Sequence, residues 1–183
     1  PAETAGGCWA GTAFGAVERP FRAPGTEAGL EYDLRTDPAR GWILAGGTAV
    51  MLAGPFEYEL LEGWIAVTLL RCVGWLSLGD LANRPQHAGP QRKTPAAQLP
   101  GLHRFELGVI EGAADWREVA RWAEVFAHPL VPAPAAPLAA FPAFASPTRM
   151  LSALVRREGR ARLRTYDLES FRIEDRELAA CDP

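Results

Sequence analysis

Three histidines, His87, His103 and His128, are the only imidazoles in the chain. No two of them fall at the H-x-H or i, i+4 spacing that sets two rings on one metal ion. The three cysteines, Cys8, Cys72 and Cys181, are odd in number, widely spaced and without a C-x-x-C pair. That pattern argues against a disulfide framework and against a structural zinc site, and the cysteines read as small buried or incidental thiols. The densest polar cluster is Asp80, Arg84 and His87, within a stretch from Ser77 to Gln98 that has almost no periodic apolar residue. A connection of about 20 residues without regular structure is uncommon in a compact domain and is usually functional or disordered. Arg71 is the sharpest single candidate. It closes the run Trp64-Ile65-Ala66-Val67-Thr68-Leu69-Leu70, so its guanidinium is expected at a buried strand end, where a charge requires a partner. Either its rigid fork of donors serves a ligand or a ligand-holding carboxylate, or it bridges to Glu57 or Glu59.

The elements that position these groups read as mostly β. Eighteen Gly and 16 Pro divide the chain into short pieces, which favours strands over helices. Thr12 to Arg22 ends in the alternating Val17-Glu18-Arg19-Pro20-Phe21-Arg22. Trp42 to Ala45 and Thr48 to Leu52 flank Gly46-Gly47, and two glycines supply the positive φ of a tight hairpin turn. Phe56 to Leu60 alternates, Glu62-Gly63 turns, and Trp64 to Arg71 is apolar on both faces, which predicts a central strand buried on two sides. Gly101 to Ile110 resumes as a strand. One helix is expected after Asp115, with Glu118 completing a capping box and Trp116, Val119, Ala120, Ala123, Phe126 and Ala127 on one face. Pro129 ends it. Val131 to Pro147 is a Pro- and Ala-rich connector. Leu151 to Val155, Arg160 to Leu168 and Phe171 to Ile173 are short strands, with a turn at Gly159. The expected fold is an antiparallel β-sandwich of the galactose mutarotase-like supersandwich type, with one α-helix and a long loop, formed as a single domain over residues 1–183.

Composition narrows the function classes. The 183 residues are 48% apolar, with no run approaching the roughly 20 residues that span a bilayer. Nineteen basic side chains against twenty-two acidic give a net charge of −3, which removes the concentrated basic surface that nucleic acid requires. Neither nucleic acid nor membrane is expected as a partner, and the expected location is the cytoplasm. Pro1-Ala2-Glu3-Thr4 shows no signal-peptide pattern and no initiating Met, so a processed or excised piece is expected.

One long ordered run is distinctive. Ile65-Ala66-Val67-Thr68-Leu69-Leu70-Arg71 leads into Gly74-Trp75-Leu76-Ser77. Then come Arg84-Pro85-Gln86-His87-Ala88-Gly89-Pro90 and Gly101-Leu102-His103-Arg104-Phe105. Together these resemble the C-terminal region of glycoside hydrolase family 38, the α-mannosidases, in its bacterial branch. Phe14 to Phe21, Phe56 to Leu60, the helix after Asp115 and Arg162 to Ile173 extend the resemblance over most of the chain. Two departures stand out: the family's catalytic half is absent, and the stretch between Arg157 and Arg162 is short.

The resemblance implies a parent that hydrolyses α-linked mannosides. Its zinc, nucleophilic aspartate and acid/base carboxylate belong to an N-terminal α/β catalytic domain, the partner outside these residues. It implies no catalytic residue and no metal ligand here, only support and substrate contacts from Arg71, Trp75, Asp80, Arg84 and His87. For Arg71 the family places an arginine from this strand at the active site, beside the alternative of a structural bridge. The loop with Asp80, Arg84 and His87 either meets the sugar or packs on the sister domain, with Arg84 paired to Asp80. Trp9, Trp42, Trp64 and Trp75 have faces that suit sugar rings, but Trp42 and Trp64 lie in apolar runs where core packing is the default. Trp75 is the best stacking candidate, and Trp116 joins the helix core. An independent carbohydrate-binding or interaction module is the competing class.

Overall fold

The computed structural model describes residues 7–21, 34–81, 84–128 and 148–178. The expected connector at 131–147 and Cys181 lie outside these residues. The first described segment forms a hairpin, β1 (Cys8–Thr12) and β2 (Gly15–Arg19), where the sequence suggests one strand. A short β3 (Thr36–Pro38) follows, then β4 (Trp42–Ala45) and β5 (Thr48–Ala53). The β4–β5 hairpin turns at Gly46 and Gly47, with φ of 51° and 75°, the positive-φ pair its twist demands. Next come β6 (Glu57–Leu61), β7 (Trp64–Val67), β8 (Glu106–Glu111) and helix α1 (Trp116–Ala127). Strands β9 (Arg149–Arg157), β10 (Arg160–Asp167) and β11 (Ile173–Glu177) close the described chain.

All pairings are antiparallel. A five-stranded sheet runs β2-β1-β4-β5-β8, beside three-stranded sheets β3-β6-β7 and β11-β10-β9. Alternation along β4 explains the layering. Ile43 and Ala45 face one side, where they join Cys8, Ala10, Leu52, Tyr58 and Leu60 in a core between the large sheet and β3-β6-β7. Trp42 and Leu44 face the other, against Val119, Ala120 and Ala123 of α1, with Met150 and Leu168. Every residue of β4 is therefore buried. The protein is mainly β, an antiparallel sandwich with one helix.

The helix forms as its sequence requires. Asp115 Oδ1 accepts from the Arg117 N–H at 2.9 Å, so the cap is closed on Arg117 rather than through the anticipated box with Glu118. Further strand expectations fail, among them Gly101 to Phe105, which lies before β8 rather than in it. The run from Trp64 to Arg71 is not a central strand: it leaves the sheet after Val67, and β7 is an outer strand of β3-β6-β7 with Trp64 65% exposed. Its two-faced apolar pattern reflects residues that emerge from the sheet rather than burial on both sides. The last strand starts at Ile173, because Phe171 takes φ of 55° to finish the turn after β10.

That turn depends on Asp167. Its Oδ1 accepts from the backbone N–H of Ser170 (2.8 Å) and Glu169 (3.0 Å) and from the Ser170 hydroxyl, while Oδ2 accepts from Thr148 Oγ1 at 2.8 Å. The Ser170 N–H, followed by the Thr148 hydroxyl, holds the carboxyl down at about 2, against an ordinary 3.8. A depressed folded value means this stabilisation is complete above pH 3.8 and is lost as pH falls toward 2. Asp167→Ala is expected to melt at a lower temperature at neutral pH and to lose less further Tm on acidification than the parent. Thermal melts followed by circular dichroism across that acid range test this; parallel losses would remove Asp167 from the account.

Candidate functional site

After β7 the chain leaves the body of the fold as an arm and rejoins it at β8. Thr68 still donates its N–H to the Glu57 carbonyl at 2.9 Å. Beyond it, no described residue up to β8 is buried. The arm is held by its own polar contacts. Leu76 N donates to Arg92 O (2.8 Å) and Thr94 N to Gly74 O (3.0 Å). Thr94 Oγ1 donates to Val73 O, Gln98 Nε2 to Cys72 O, and the Ala88 N–H to Ser77 Oγ. Leu81 and Arg84 exchange both backbone hydrogen bonds at 3.0 Å near the tip, and Asp80 N donates to Pro85 O at 3.1 Å. Cys72, Asp80 and Leu99 adopt positive φ of 42°, 58° and 46°. Asp tolerates that region, whereas Cys and Leu do so at a steric cost.

The five candidate side chains distribute along this arm and do not converge. Arg71 is at the root and is not at a buried strand end: its side chain is 65% exposed, with Nε 3.9 Å from Glu57 Oε2. The reason is that β7 stops four residues earlier and its sheet ends there. Trp75 pairs across the arm with Lys93, whose Nζ lies 5.7 Å from the indole centroid. Trp75 is 39% exposed. Asp80 and Arg84 flank the tip turn, but no ion pair joins them, and the Arg84 Nε is shielded from solvent without a hydrogen-bond partner. His87 donates from Nδ1 to the Gly89 carbonyl at 3.0 Å.

Two features escaped the sequence reading. Lys93 meets Trp75 only through the arm's folding, 18 positions apart, and no local pattern announces it. A cleft of about 1000 Å³ also opens between the β1–β2 turn, α1 and the β9–β10 hairpin, lined in part by Phe14, Trp42 and Tyr166. There His128 Nδ1 sits 3.2 Å from Glu124 Oε2. Burial first, and the Glu124 charge second, push the Tyr166 phenol up, opposed by Arg40. Trp42 and Trp116 stack at 6.2 Å and Trp9 and Trp116 at 5.7 Å, so these indoles are committed to packing. Trp64, expected in the core, is exposed.

Among the described residues, no three His, Cys, Asp or Glu side chains come together as a metal-binding group. No described helix is long and apolar enough to cross a membrane.

The architecture defines a β-sandwich domain bearing a long, self-braced arm. No family model matches the chain, and no curated protein matches it. Among solved structures, an alpha-mannosidase from Enterococcus faecalis V583 superimposes with a TM-score of 0.59 at 22% sequence identity. The match covers 88% of this chain and 19% of that one, so the chain spans less than a fifth of that protein's length. At this identity the likeness shows a shared fold.

Proposed function

We propose that the chain is the C-terminal β-sandwich domain of an α-mannosidase-like glycoside hydrolase. The observation that carries this reading is the fold shared with a segment of a bacterial alpha-mannosidase over 88% of the chain. In this reading, bond cleavage belongs to an N-terminal α/β domain with its own zinc and paired carboxylates, as retaining glycosidases require. The sandwich braces that domain, and the arm carries Arg71, Trp75, Asp80, Arg84 and His87 toward it. Arg71 supplies a partly free guanidinium fork, and Trp75 an indole that is 39% exposed.

The test compares residues 1–183 with the product of the whole gene, using an aryl α-mannoside with and without zinc. No turnover is expected from residues 1–183, and zinc-dependent turnover from the whole product. Zinc-dependent hydrolysis by residues 1–183 alone would overturn the division of labour, and an inactive whole product would sink the glycosidase reading.

A second reading is favoured by the exposure of Trp64 and Trp75: a free-standing carbohydrate-binding module. Titration of methyl α-mannoside against tryptophan fluorescence discriminates, because only the module saturates as an isolated chain.

A further inference from the structure

The arm's charge opposes that of the chain as a whole. Residues 68–105 hold five basic side chains, Arg71, Arg84, Arg92, Lys93 and Arg104, against one acidic, Asp80, in a chain of net charge −3. The two cations at the arm's base each have a carboxylate within ion-pair distance. Arg71 lies 3.9 Å from Glu57, and Arg104 lies 2.7 Å from Glu106. The three distal cations, Arg84, Arg92 and Lys93, form no ion pair with a described carboxylate. On the same distal part Leu76, Leu78 and Leu81 remain exposed.

Ordering a segment of this length costs conformational entropy that burial normally offsets, and here no described residue of the arm is more than partly buried. Exposed apolar side chains grouped with unpaired charge mark a surface that meets another. The sign of the charge selects that other surface, because opposite potentials attract across an interface and like ones repel. We infer that the distal arm, residues 74–81 and 84–93, is a cationic latch. Its occupant is an acidic, carboxylate-bearing face of the catalytic part of a longer glycosidase. This rests on the function proposed above and adds the chemistry of the contact. A glycosidase site supplies such a face, because its catalysis needs at least two carboxyl groups beside the sugar. Arg84 stands at the tip turn, and Arg92 and Lys93 lie farther back along the same arm, opposite Leu76 and Trp75.

Amide hydrogen exchange tests the latch, comparing the whole gene product with residues 1–183 alone. At about 0.05 M NaCl, amides of residues 74–81 and 84–93 are expected to exchange about tenfold more slowly in the whole product. That protection should shrink at about 0.5 M NaCl, where the screening length falls to a few ångströms. It should also shrink in the double variant R92E/K93E, both of whose side chains are exposed on the arm. A Tm of R92E/K93E within a degree or two of the parent, measured on residues 1–183, shows that the body still folds. Arm protection that ignores both salt and charge reversal overturns the latch and leaves the glycosidase reading standing. A gene that encodes no carboxylate-bearing catalytic region, or an arm that exchanges alike in both proteins, overturns the two together.

Discussion

Trp42→Ala is expected to lower the unfolding free energy by about 3–5 kcal/mol, the usual loss for truncating a buried aromatic side chain. Domains of this size hold only about 5–15 kcal/mol in total, so the variant should sit near its unfolding threshold. Trp42 is 4% exposed on β4, whose every residue is buried. Its ring lies 6.2 Å from Trp116 with an interplanar angle of 8°, and Trp116 in turn stacks on Trp9 at 5.7 Å and 18°. Removing this end of the stack leaves a cavity between the large sheet and the first turn of α1, and the helix loses a main anchor on the sheet. Trp64→Ala is the matched control, since Trp64 is largely solvent-facing on β7, and a surface change of this kind costs about 0.5 kcal/mol or less. Urea unfolding of both variants gives the comparison: Trp42→Ala should shift the midpoint strongly at unchanged slope. Equal midpoints for the two variants would mean that the indoles do not divide between core and surface as described.

That division was only partly legible in the sequence, and the reason is physical. Where a contact is local, composition carries it. Gly46-Gly47 announces a hairpin because two positive φ angles in succession are cheap only for glycine. Asp115 followed by a 3.6-residue apolar rhythm announces α1 in the same way. Trp42 could be placed in the core because its strand neighbours are apolar throughout. Trp64 carries the same local signal and is exposed, because burial depends on non-local neighbours, and among the described residues β7 pairs with a strand on one side only. The arm was legible as a long stretch without period. Its ladder was not, since Leu76 with Arg92 and Trp75 with Lys93 are non-local pairings between residues of no matching pattern. For Arg71 the sequence left a ligand role and a bridge to Glu57 or Glu59 open together. The structure puts Glu57 within reach yet leaves the guanidinium mostly in solvent, so the bridge is a weak, screened one.

A second buried feature joins residues 50 positions apart and makes the fold sensitive to alkali. Tyr58 is 1% exposed between the two sheets, and its Oη lies 3.0 Å from Cys8 Sγ. Asp37, bridged to Arg19 at 3.0 Å, adds negative charge to its surroundings. Burial above all, then the Cys8 contact and the Asp37 charge, raise the phenol far above its ordinary 10.0, with Arg19 opposing. In the unfolded chain the same phenol ionises near pH 10. Above that point the folded state holds one more proton than the unfolded state. Tyr58 therefore contributes its full stabilisation below pH 10 and loses it as pH climbs, at about 1.4 kcal/mol per unit. Tyr58→Phe has no phenol to ionise. It should be less stable near neutrality by about 1 kcal/mol, the net worth of a typical hydrogen bond, and should then escape this part of the alkaline loss. The two stability curves are expected to cross at roughly pH 11, with the variant the more stable by pH 12. Urea midpoints measured for both proteins from neutral pH to pH 12 decide it. Curves that stay parallel would mean that the phenol titrates alike in folded and unfolded chains, and the Cys8–Tyr58 contact would then lie in reach of water rather than inside the sandwich.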